Sequence, residues 1–302
     1  MLKKLKSILK RSYRQIISIF SKSIQESLGY EKNTKLLIIH ADDMGLSGSE
    51  NAASIESLER GSVNSGSVMV PCPGFKEIAD YCKTHPNADV GIHLTLTSEW
   101  PSYKYGPVLS SGEVKSITDS NGFFFESKKQ LIANANSKEI ENEFRAQINK
   151  AIESGIELTH IDTHMFTAFS NDEILKIYVS LGKEYKLPVL LTYNLPFRFW
   201  SSKSAIVIDQ LYKAKPADNV TGLDNYYRKV LNSMKPGLNC ILVHVAYNDK
   251  EMSYITGNQS DFGSEWRAAD LEFFTSNECR QLIYDNNIQL ITWREIRQKY
   301  LT

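Results

Sequence analysis

The chain of 302 residues lacks the features that mark several large classes of protein. Its four cysteines contain no CxxC pair, which excludes a zinc-finger spacing and favours buried free thiols in a reducing, cytoplasmic compartment. No glycine-rich phosphate loop follows a strand-like segment, so the usual nucleotide-binding signatures are missing. The longest apolar stretch near the start is 16–20, interrupted by Ser18. A membrane-spanning helix needs roughly 20 apolar residues.

The formal net charge of the chain is zero, but this value is the sum of two segments of opposite charge. Lys and Arg total 35, as do Asp and Glu. Residues 1–33 contain eight basic and two acidic residues, a surplus of six positive charges that the rest of the chain balances. Nucleic-acid binding needs clustered cationic charge, so the mildly acidic body excludes nucleic acid as a partner.

The basic N-terminal segment has the pattern of an amphipathic helix. Apolar residues recur at steps of three and four over residues 2–28, and Lys and Arg occupy much of the other face. Such a helix is typical of a segment on an anionic membrane surface, but a terminal helix packed on the body fits equally well. A signal peptide fits less well, because the apolar centre is short and polar. We predict a basic amphipathic extension over 1–33 and a separate domain over 34–302.

After the extension, short apolar runs alternate with amphipathic stretches. Runs rich in Val, Ile and Leu are typical of parallel strands buried on both faces, and repeated β–α units indicate an α/β fold. The number of strands favours a distorted (β/α) barrel of seven or eight strands over a doubly wound sheet. Strands are predicted at 35–41, 66–71, 89–96, 158–163, 188–192, 205–209, 239–245 and 288–293, and helices at 49–60, 75–84, 137–154, 171–184 and 270–285.

Histidines and aspartates gather at the ends of these predicted strands. Asp42 and Asp43 follow the first strand, while His93, His164 and His244 lie in or at the end of three others. In a parallel barrel the carboxyl ends of the strands converge on one mouth, where catalytic groups gather. Asp43, His93 and His164 would supply one carboxylate and two imidazoles, a plausible set for a divalent metal. Asp42 could then take a proton from water, although an Asp-Asp pair is also common in turns.

The segment His160-Ile-Asp162-Thr-His164 has a period of two, which places its three polar side chains on one face of a strand. His164 is nearest the strand end and is the best metal ligand of the three. Asp162 is suited to accept a hydrogen bond from a ligating imidazole. His160 and His40 are expected to be structural, hydrogen-bonded histidines.

Six segments together resemble one known family. They are ADDMGLS at 41–47, GSVNSGSVMV at 61–70, GIHLTLT at 91–97, HIDTH at 160–164, LVHVAY at 242–247 and WRAADL at 266–271. In this order they resemble the YdjC-like (ChbG/HpnK) carbohydrate deacetylase family, from about residue 36 to 296. The extension before residue 34 lies outside the resemblance.

The resemblance implies a barrel related to polysaccharide deacetylases that removes an N-acetyl group from an amino sugar and releases acetate. It also implies a divalent cation, magnesium first and zinc as the alternative. The roles implied are metal ligand for Asp43, His93 and His164, general base for Asp42, acid toward the leaving amine for His244, and support of the catalytic carboxylate for Arg267.

Some features depart from the family or stay open. Met165 and Phe166 stand where many members have further histidines, which puts the substrate in doubt more than the metal. The region 100–128 is predicted to be a long loop over the site. Its aromatic residues Trp100, Tyr103 and Tyr105 either stack on a sugar ring or hold the loop down.

Two other functions compete with deacetylation. Phosphoester hydrolysis with the same ligands is disfavoured, because the strand-end motifs carry no Lys or Arg. A non-catalytic carbohydrate-binding protein has no need of a base and an acid together.

Overall fold

The sheet contains nine strands, all paired in parallel, in the residues that the computed structural model describes, which are 23–196, 199, 202–257 and 259–300. The strands are β1 (Lys35–Met44), β2 (Ser65–Val68), β3 (Val90–Leu94), β4 (Ile161–Thr163), β5 (Val189–Thr192), β6 (Ala205–Ile208), β7 (Gln210–Lys213), β8 (Gly237–Val243) and β9 (Ile288–Leu290).

The strand order closes the sheet into a barrel. Along the sheet the order is β6-β5-β4-β3-β2-β1-β8-β7, and only Asp209 separates β6 from β7 in the chain. Because β6 pairs with β5 and β7 pairs with β8, the segment 205–213 joins the two ends of the sheet. The short β9 pairs with the first three residues of β1. The pairing of β1 with β2 begins further along β1, at His40. The predicted α/β barrel is therefore confirmed, although β7 was not among the predicted strands.

Helices surround this barrel. They are α1 (Ile24–Ser27), α2 (Gly48–Arg60), α3 (Phe75–Thr84), α4 (Lys128–Asn134), α5 (Ser137–Glu153), α6 (Asp172–Tyr185), α7 (Leu223–Ser233), α8 (Lys250–Thr256), α9 (Ser264–Thr275), α10 (Asn277–Asp285) and α11 (Trp293–Tyr300). The single helix predicted over 270–285 is two helices, because Ser276 has an extended conformation and its hydroxyl caps the backbone of Cys279. The predicted loop over 100–128 has only one turn of 3₁₀-helix, at Lys115–Ile117.

The alternation of side chains along β1 explains how polar residues reach the barrel interior. Leu37 and Ile39 pack in the cluster that includes side chains of α7, α9 and α10. Leu36 and Ile38 pack with side chains of β5, β6 and β8. Successive side chains of a strand point to opposite faces, so His40 continues the inner row. This places a histidine deep in the barrel, directly below the strand end that carries Asp42 and Asp43.

The described part of the N-terminal extension packs on the barrel. Leu28 is buried beside α11, and its carbonyl accepts a hydrogen bond of 3.0 Å from Lys299 Nζ. The Lys299 ammonium also lies 4.9 Å from the centre of the Tyr30 ring. Most of the predicted helix over 2–28 lies outside the described residues.

Two other expectations can be compared with the described residues. The cysteines Cys72, Cys82, Cys240 and Cys279 are buried and unpaired, which confirms the prediction of free thiols. Within the same part of the chain, no helix has the length and apolar character needed to cross a membrane.

Candidate active site

A bulge at the end of β1 aims two carboxylates into one pocket. The pairing between β1 and β2 shifts register between Ala41 and Met44, and Asp43 has a φ of 65°. This left-handed conformation is uncommon for a residue with a side chain, but aspartate tolerates it better than most. In a regular strand, neighbouring side chains would point to opposite faces. Here Asp42 and Asp43 both line a small pocket at the barrel mouth.

Three predicted site residues meet in this pocket. Asp43 Oδ1 lies 3.4 Å from His93 Nε2 and 3.1 Å from His164 Nδ1. All three residues are buried, and one ligand atom from each lies within 4.8 Å of the others. Strands β1 and β3 and the end of β4 supply them, as expected for converging strand ends. The side chains of Asp43, His93 and His164 are therefore adjacent in space.

Asp162 supports His93 from behind. Its Oδ1 lies 2.8 Å from His93 Nδ1, and its Oδ2 accepts a hydrogen bond of 2.9 Å from the Ser67 hydroxyl. His40 Nε2 lies 2.9 Å from the same Oδ2. His160 lies lower in the barrel, where its ring stacks at 4.8 Å on Trp293 of α11. The three residues of the period-two pattern therefore have different surroundings: His160 packs on Trp293, Asp162 contacts His93, and His164 lines the pocket.

Glu99 occupies the matching position behind His164. Its Oε2 lies 2.9 Å from His164 Nε2, and the Tyr105 hydroxyl donates to the same oxygen at 3.3 Å. Each imidazole of the cluster thus has one nitrogen near Asp43 and its other nitrogen near a second carboxylate. Sequence reasoning missed Glu99, because an acidic residue in a loop carries no periodic signal.

A buried ion-pair network holds the other oxygen of Asp43. Arg267 Nη2 donates to Asp43 Oδ2 at 3.1 Å, and Arg267 Nη1 donates to Glu50 Oε1 at 2.6 Å. Both Arg267 and Glu50 are almost completely buried. The expected contact of Arg267 with the catalytic carboxylate Asp42 is therefore replaced by a contact with its neighbour, Asp43. Glu50, on the first turn of α2, was also missed by the sequence analysis.

Asp42 and His244 form a second pair in the same pocket. Asp42 Oδ2 lies 3.9 Å from His244 Nε2. Asp42 Oδ1 is buried and accepts no hydrogen bond from any residue that the structure describes. His40 Nε2 is 3.3 Å from this oxygen but hydrogen-bonds Asp162 and Ser67 instead. Burial raises the pKa of Asp42 to about 6 and lowers the pKa of His244 well below its ordinary value.

The charges of the cluster reinforce one another. Burial alone would raise the pKa of Asp43, but His164, His93 and Arg267 hold it well below its usual range. Burial alone would lower the pKa of His93, yet Asp162 and Asp42 raise it well above the ordinary value. The pKa of His164 is likewise raised to about 9 against the effect of burial, by Glu99 and Asp43. Asp43 is therefore an anion that attracts cationic partners.

Known proteins resemble this chain in sequence and in fold. Residues 36–285 match the family described as YdjC-like protein. The chain belongs to the YdjC-like family. It is 32% identical over 265 residues to a carbohydrate deacetylase of Brevibacillus brevis, covering 86% of this chain and 99% of that one. A carbohydrate deacetylase of Thermoanaerobacter pseudethanolicus is 30% identical, with 86% and 98% covered.

A solved structure is also similar to this YdjC-like chain. It is the crystal structure of a putative cellobiose-phosphate cleavage protein from Enterococcus faecalis, with a TM-score of 0.72 and 26% identity. The match covers 87% of this chain and 99% of that one. The family resemblance seen in the sequence is thus confirmed, together with the barrel fold.

The segment after His164 forms part of the pocket wall in this YdjC-like chain. Met165 and Phe166 both have positive φ values, 51° and 53°, in a short 3₁₀ segment. They line the pocket together with Lys213 of β7 and Arg267. The strand-end motifs carry no Lys or Arg, but the folded pocket contains these two cations, which come from other segments of the chain.

The aromatic residues of the long loop are structural. Trp100 and Tyr105 are 5% and 3% exposed and belong to the main hydrophobic cluster. The Tyr103 hydroxyl donates to the carbonyl of Leu46 at 2.8 Å. These contacts favour the interpretation that the aromatic residues hold the loop on the barrel, with Glu99 at its base.

Proposed function

We propose that this YdjC-like protein is a metal-dependent carbohydrate deacetylase that hydrolyses the N-acetyl group of an amino sugar and releases acetate. The observation that carries the proposal is the meeting of Asp43, His93 and His164 beside Asp42 Oδ1, which accepts no hydrogen bond from the residues that the structure describes. The names of the relatives, carbohydrate deacetylase, support the same reaction.

The residues of the cluster fit a divalent cation. Asp43, His93 and His164 offer one carboxylate and two imidazoles. A histidine that binds a metal commonly hydrogen-bonds to a carboxylate through its second ring nitrogen. His93 is placed in this way beside Asp162, and His164 beside Glu99. Imidazole nitrogens suit zinc-type cations, whereas magnesium prefers oxygen, so the donor set favours zinc and the family resemblance favours magnesium. A bound cation would polarise the acetyl carbonyl and acidify the attacking water.

Asp42 and His244 are suited to move the protons of this reaction. We assign Asp42 Oδ1 as the acceptor of a proton from the attacking water, because it is buried in the pocket and no residue of the described part of the chain hydrogen-bonds to it. The water oxygen bonds to the acetyl carbon, the carbon–nitrogen bond breaks, and the nitrogen leaves with a proton from His244 Nε2. Burial keeps His244 neutral at rest, so it must gain that proton during the reaction. Asp42, 3.9 Å away, is the neighbouring source.

Arg267 and Glu50 are assigned the role of holding Asp43. The guanidinium binds Asp43 Oδ2 and leaves Oδ1 facing the two imidazoles. Phosphoester hydrolysis and non-catalytic sugar binding remain the competing functions. Membership in the YdjC-like family favours deacetylation over both.

Acetate release from N-acetylglucosamine oligomers, with and without a chelator, tests the proposal when combined with metal analysis of the purified protein. We expect acetate release, a bound divalent cation and loss of turnover with the chelator. Absence of both bound metal and chelator sensitivity would contradict metal dependence. Release of phosphate from sugar phosphates without release of acetate would favour the phosphoesterase.

We also propose that the basic segment before residue 23 contacts an anionic membrane surface, while the domain from residue 34 carries the activity. The surplus of positive charge and the apolar stripe support this contact. The four buried free thiols fit a reducing, cytoplasmic compartment.

A further inference from the structure

His40 is a polar residue at a position of β1 where the preceding residues of the inner row are apolar. Leu36 and Ile38 begin this row, and His40 follows them with no exposed surface. An aliphatic side chain at this position would satisfy the packing of the barrel, as it does two and four residues earlier. A buried imidazole costs free energy unless its nitrogens find partners. The contacts of the two ring nitrogens therefore indicate what His40 does.

Both ring nitrogens of His40 contact polar groups of other strands. Nδ1 lies 3.0 Å from the Ser65 hydroxyl of β2, and Nε2 lies 2.9 Å from Asp162 Oδ2 of β4. The Ser67 hydroxyl donates to the same Asp162 oxygen at 2.9 Å. A carboxylate oxygen that accepts hydrogen bonds has no proton to give, so Nε2 is the protonated nitrogen and His40 donates to Asp162.

Asp162 is thereby held at both of its oxygens. Oδ2 accepts hydrogen bonds from His40 and Ser67, and Oδ1 lies 2.8 Å from His93 Nδ1. Because donors fix Oδ2, the carboxylate cannot rotate freely, and Oδ1 stays where the His93 imidazole needs it. The proton of His93 is then kept on Nδ1, and its Nε2 is left for a cation on the side of Asp43, 3.4 Å away.

We propose that His40 is a positioning residue of the active site, which acts through Asp162 to hold His93 in the orientation and tautomer that bind the divalent cation. His40 supplies no ligand atom and is assigned no contact with the substrate. The inference rests on the proposed metal-dependent function, because it takes His93 as a ligand of the cation.

Metal affinity tests this role without reference to turnover. His40→Phe keeps a planar ring and removes both nitrogens, and we expect its affinity for zinc to fall by about tenfold in competition with a metal-binding dye, the lower end of the usual effect of losing such support. His40→Gln, whose amide nitrogen reaches the position of Nε2, should keep most of the affinity. Wild-type affinity in His40→Phe would overturn the inference, as would a loss in His40→Gln as large as in His40→Phe.

His160→Phe is the matched control for replacing a buried histidine. His160 is also completely buried in the barrel, but its Nδ1 contacts the Thr159 hydroxyl and its ring stacks on Trp293. We expect a lower free energy of unfolding in urea for this variant, with zinc affinity at the wild-type level. An equal loss of affinity in His160→Phe and His40→Phe would overturn the inference, because it would follow from any disturbance of the barrel interior.

A double-mutant cycle tests the path through Asp162. Asp162→Asn alone should lower zinc affinity by about 10- to 100-fold. Adding His40→Phe should lower it little further, because the group through which His40 acts has already been changed. Two losses that add in full would show that His40 acts by another route and would overturn the inference.

Turnover distinguishes this role from a direct effect on the proposed base, since His40 Nε2 also lies 3.3 Å from Asp42 Oδ1. If His40 acts through the metal ligand, a saturating concentration of the cation should restore most of the acetate release of His40→Phe. Release that stays low at saturating cation would overturn the inference in favour of a role on Asp42.

Failure of the proposed function gives a different result. If the wild type binds zinc but releases no acetate from any N-acetylated sugar, the deacetylase function fails, and the zinc affinities still test His40. If the wild type binds no divalent cation, metal dependence fails and this inference is overturned with it.

Discussion

Glu99 Oε2 lies 2.9 Å from His164 Nε2, on the side of the imidazole opposite Asp43. The same relationship joins Asp162 to His93 at 2.8 Å. A carboxylate behind a ligating imidazole fixes the tautomer and makes the other nitrogen a better donor to a metal. The loop after β3 thus contributes to the proposed metal site through Glu99, although it supplies none of the three proposed ligands.

Replacing this carboxylate should weaken metal binding. In Glu99→Gln we expect about 10- to 100-fold lower affinity for the divalent cation, the usual effect of losing such a supporting carboxylate. Competition with a metal-binding dye measures the affinity without reference to turnover. Glu126→Gln, which changes a mostly exposed carboxylate paired with Lys104, is the matched control. Equal affinity in Glu99→Gln and the control would show that Glu99 does not support the ligand.

Metal analysis should distinguish the proposed general base from the proposed metal ligands. Asp42→Asn is expected to keep the cation and lose turnover by about 10²- to 10⁴-fold, the range for general-base catalysis. His93→Ala is expected to lose both, because it removes a metal-binding nitrogen and leaves Asp162 Oδ1 without its partner. Metal content and acetate release are measured on the same samples. Similar metal loss in the two variants would mean that the roles are assigned wrongly.

The buried network of Arg267 should matter for stability as well as for the site. Arg267→Met leaves Glu50 as an uncompensated buried charge, and removing one partner of such a pair costs about 3–5 kcal/mol in the free energy of unfolding. Combining Arg267→Met with Glu50→Met should recover part of this loss. Urea denaturation gives the values, with the exposed Arg280→Met as control. No recovery in the double variant would contradict the coupling.

Asp270 should make stability depend on pH. Burial raises its pKa from 3.8 to about 7, while its oxygens accept hydrogen bonds from the Tyr227 hydroxyl and the His244 amide. The folded state then binds the proton more tightly than the unfolded state, so this contribution to the free energy of unfolding falls as pH rises from about 4 to about 7.

Comparison of wild type with Asp270→Asn isolates this contribution. The difference in free energy of unfolding, wild type minus variant, should be smaller at pH 8 than at pH 5, as measured by urea denaturation. A difference independent of pH would mean that Asp270 titrates normally in the folded protein.

The segment before residue 23 should be dispensable for catalysis. Removing residues 2–22 keeps Leu28 and Tyr30, which pack against α11, so folding and acetate release should be retained. Binding to vesicles that contain anionic lipid should fall, because most of the basic residues of the extension are lost. Sedimentation with neutral and anionic vesicles measures it. Unchanged binding to anionic vesicles would contradict the membrane contact.

Much of the fold and part of the site were predictable because their signals are local and periodic. The apolar run at the start of β1 is buried on both faces, and a parallel strand needs this pattern. The period of two in 160–164 places Asp162 and His164 on one face of an extended segment, and this placement does not depend on the rest of the fold. The strand β7 was missed because it lacks such a run: its residues are at most half-buried, and Lys213 ends it.

The sequence by itself determined the barrel, the strand-end positions of Asp42, Asp43, His93, His164 and His244, and membership in the YdjC-like family. These follow from periodicity and from motifs in fixed order. Only the tertiary structure decided that Glu99 supports His164, that Arg267 holds Asp43 rather than Asp42, and that Lys213 reaches the pocket. Such contacts join residues far apart in the chain, and their energies depend on distance and burial in space, which no local pattern records.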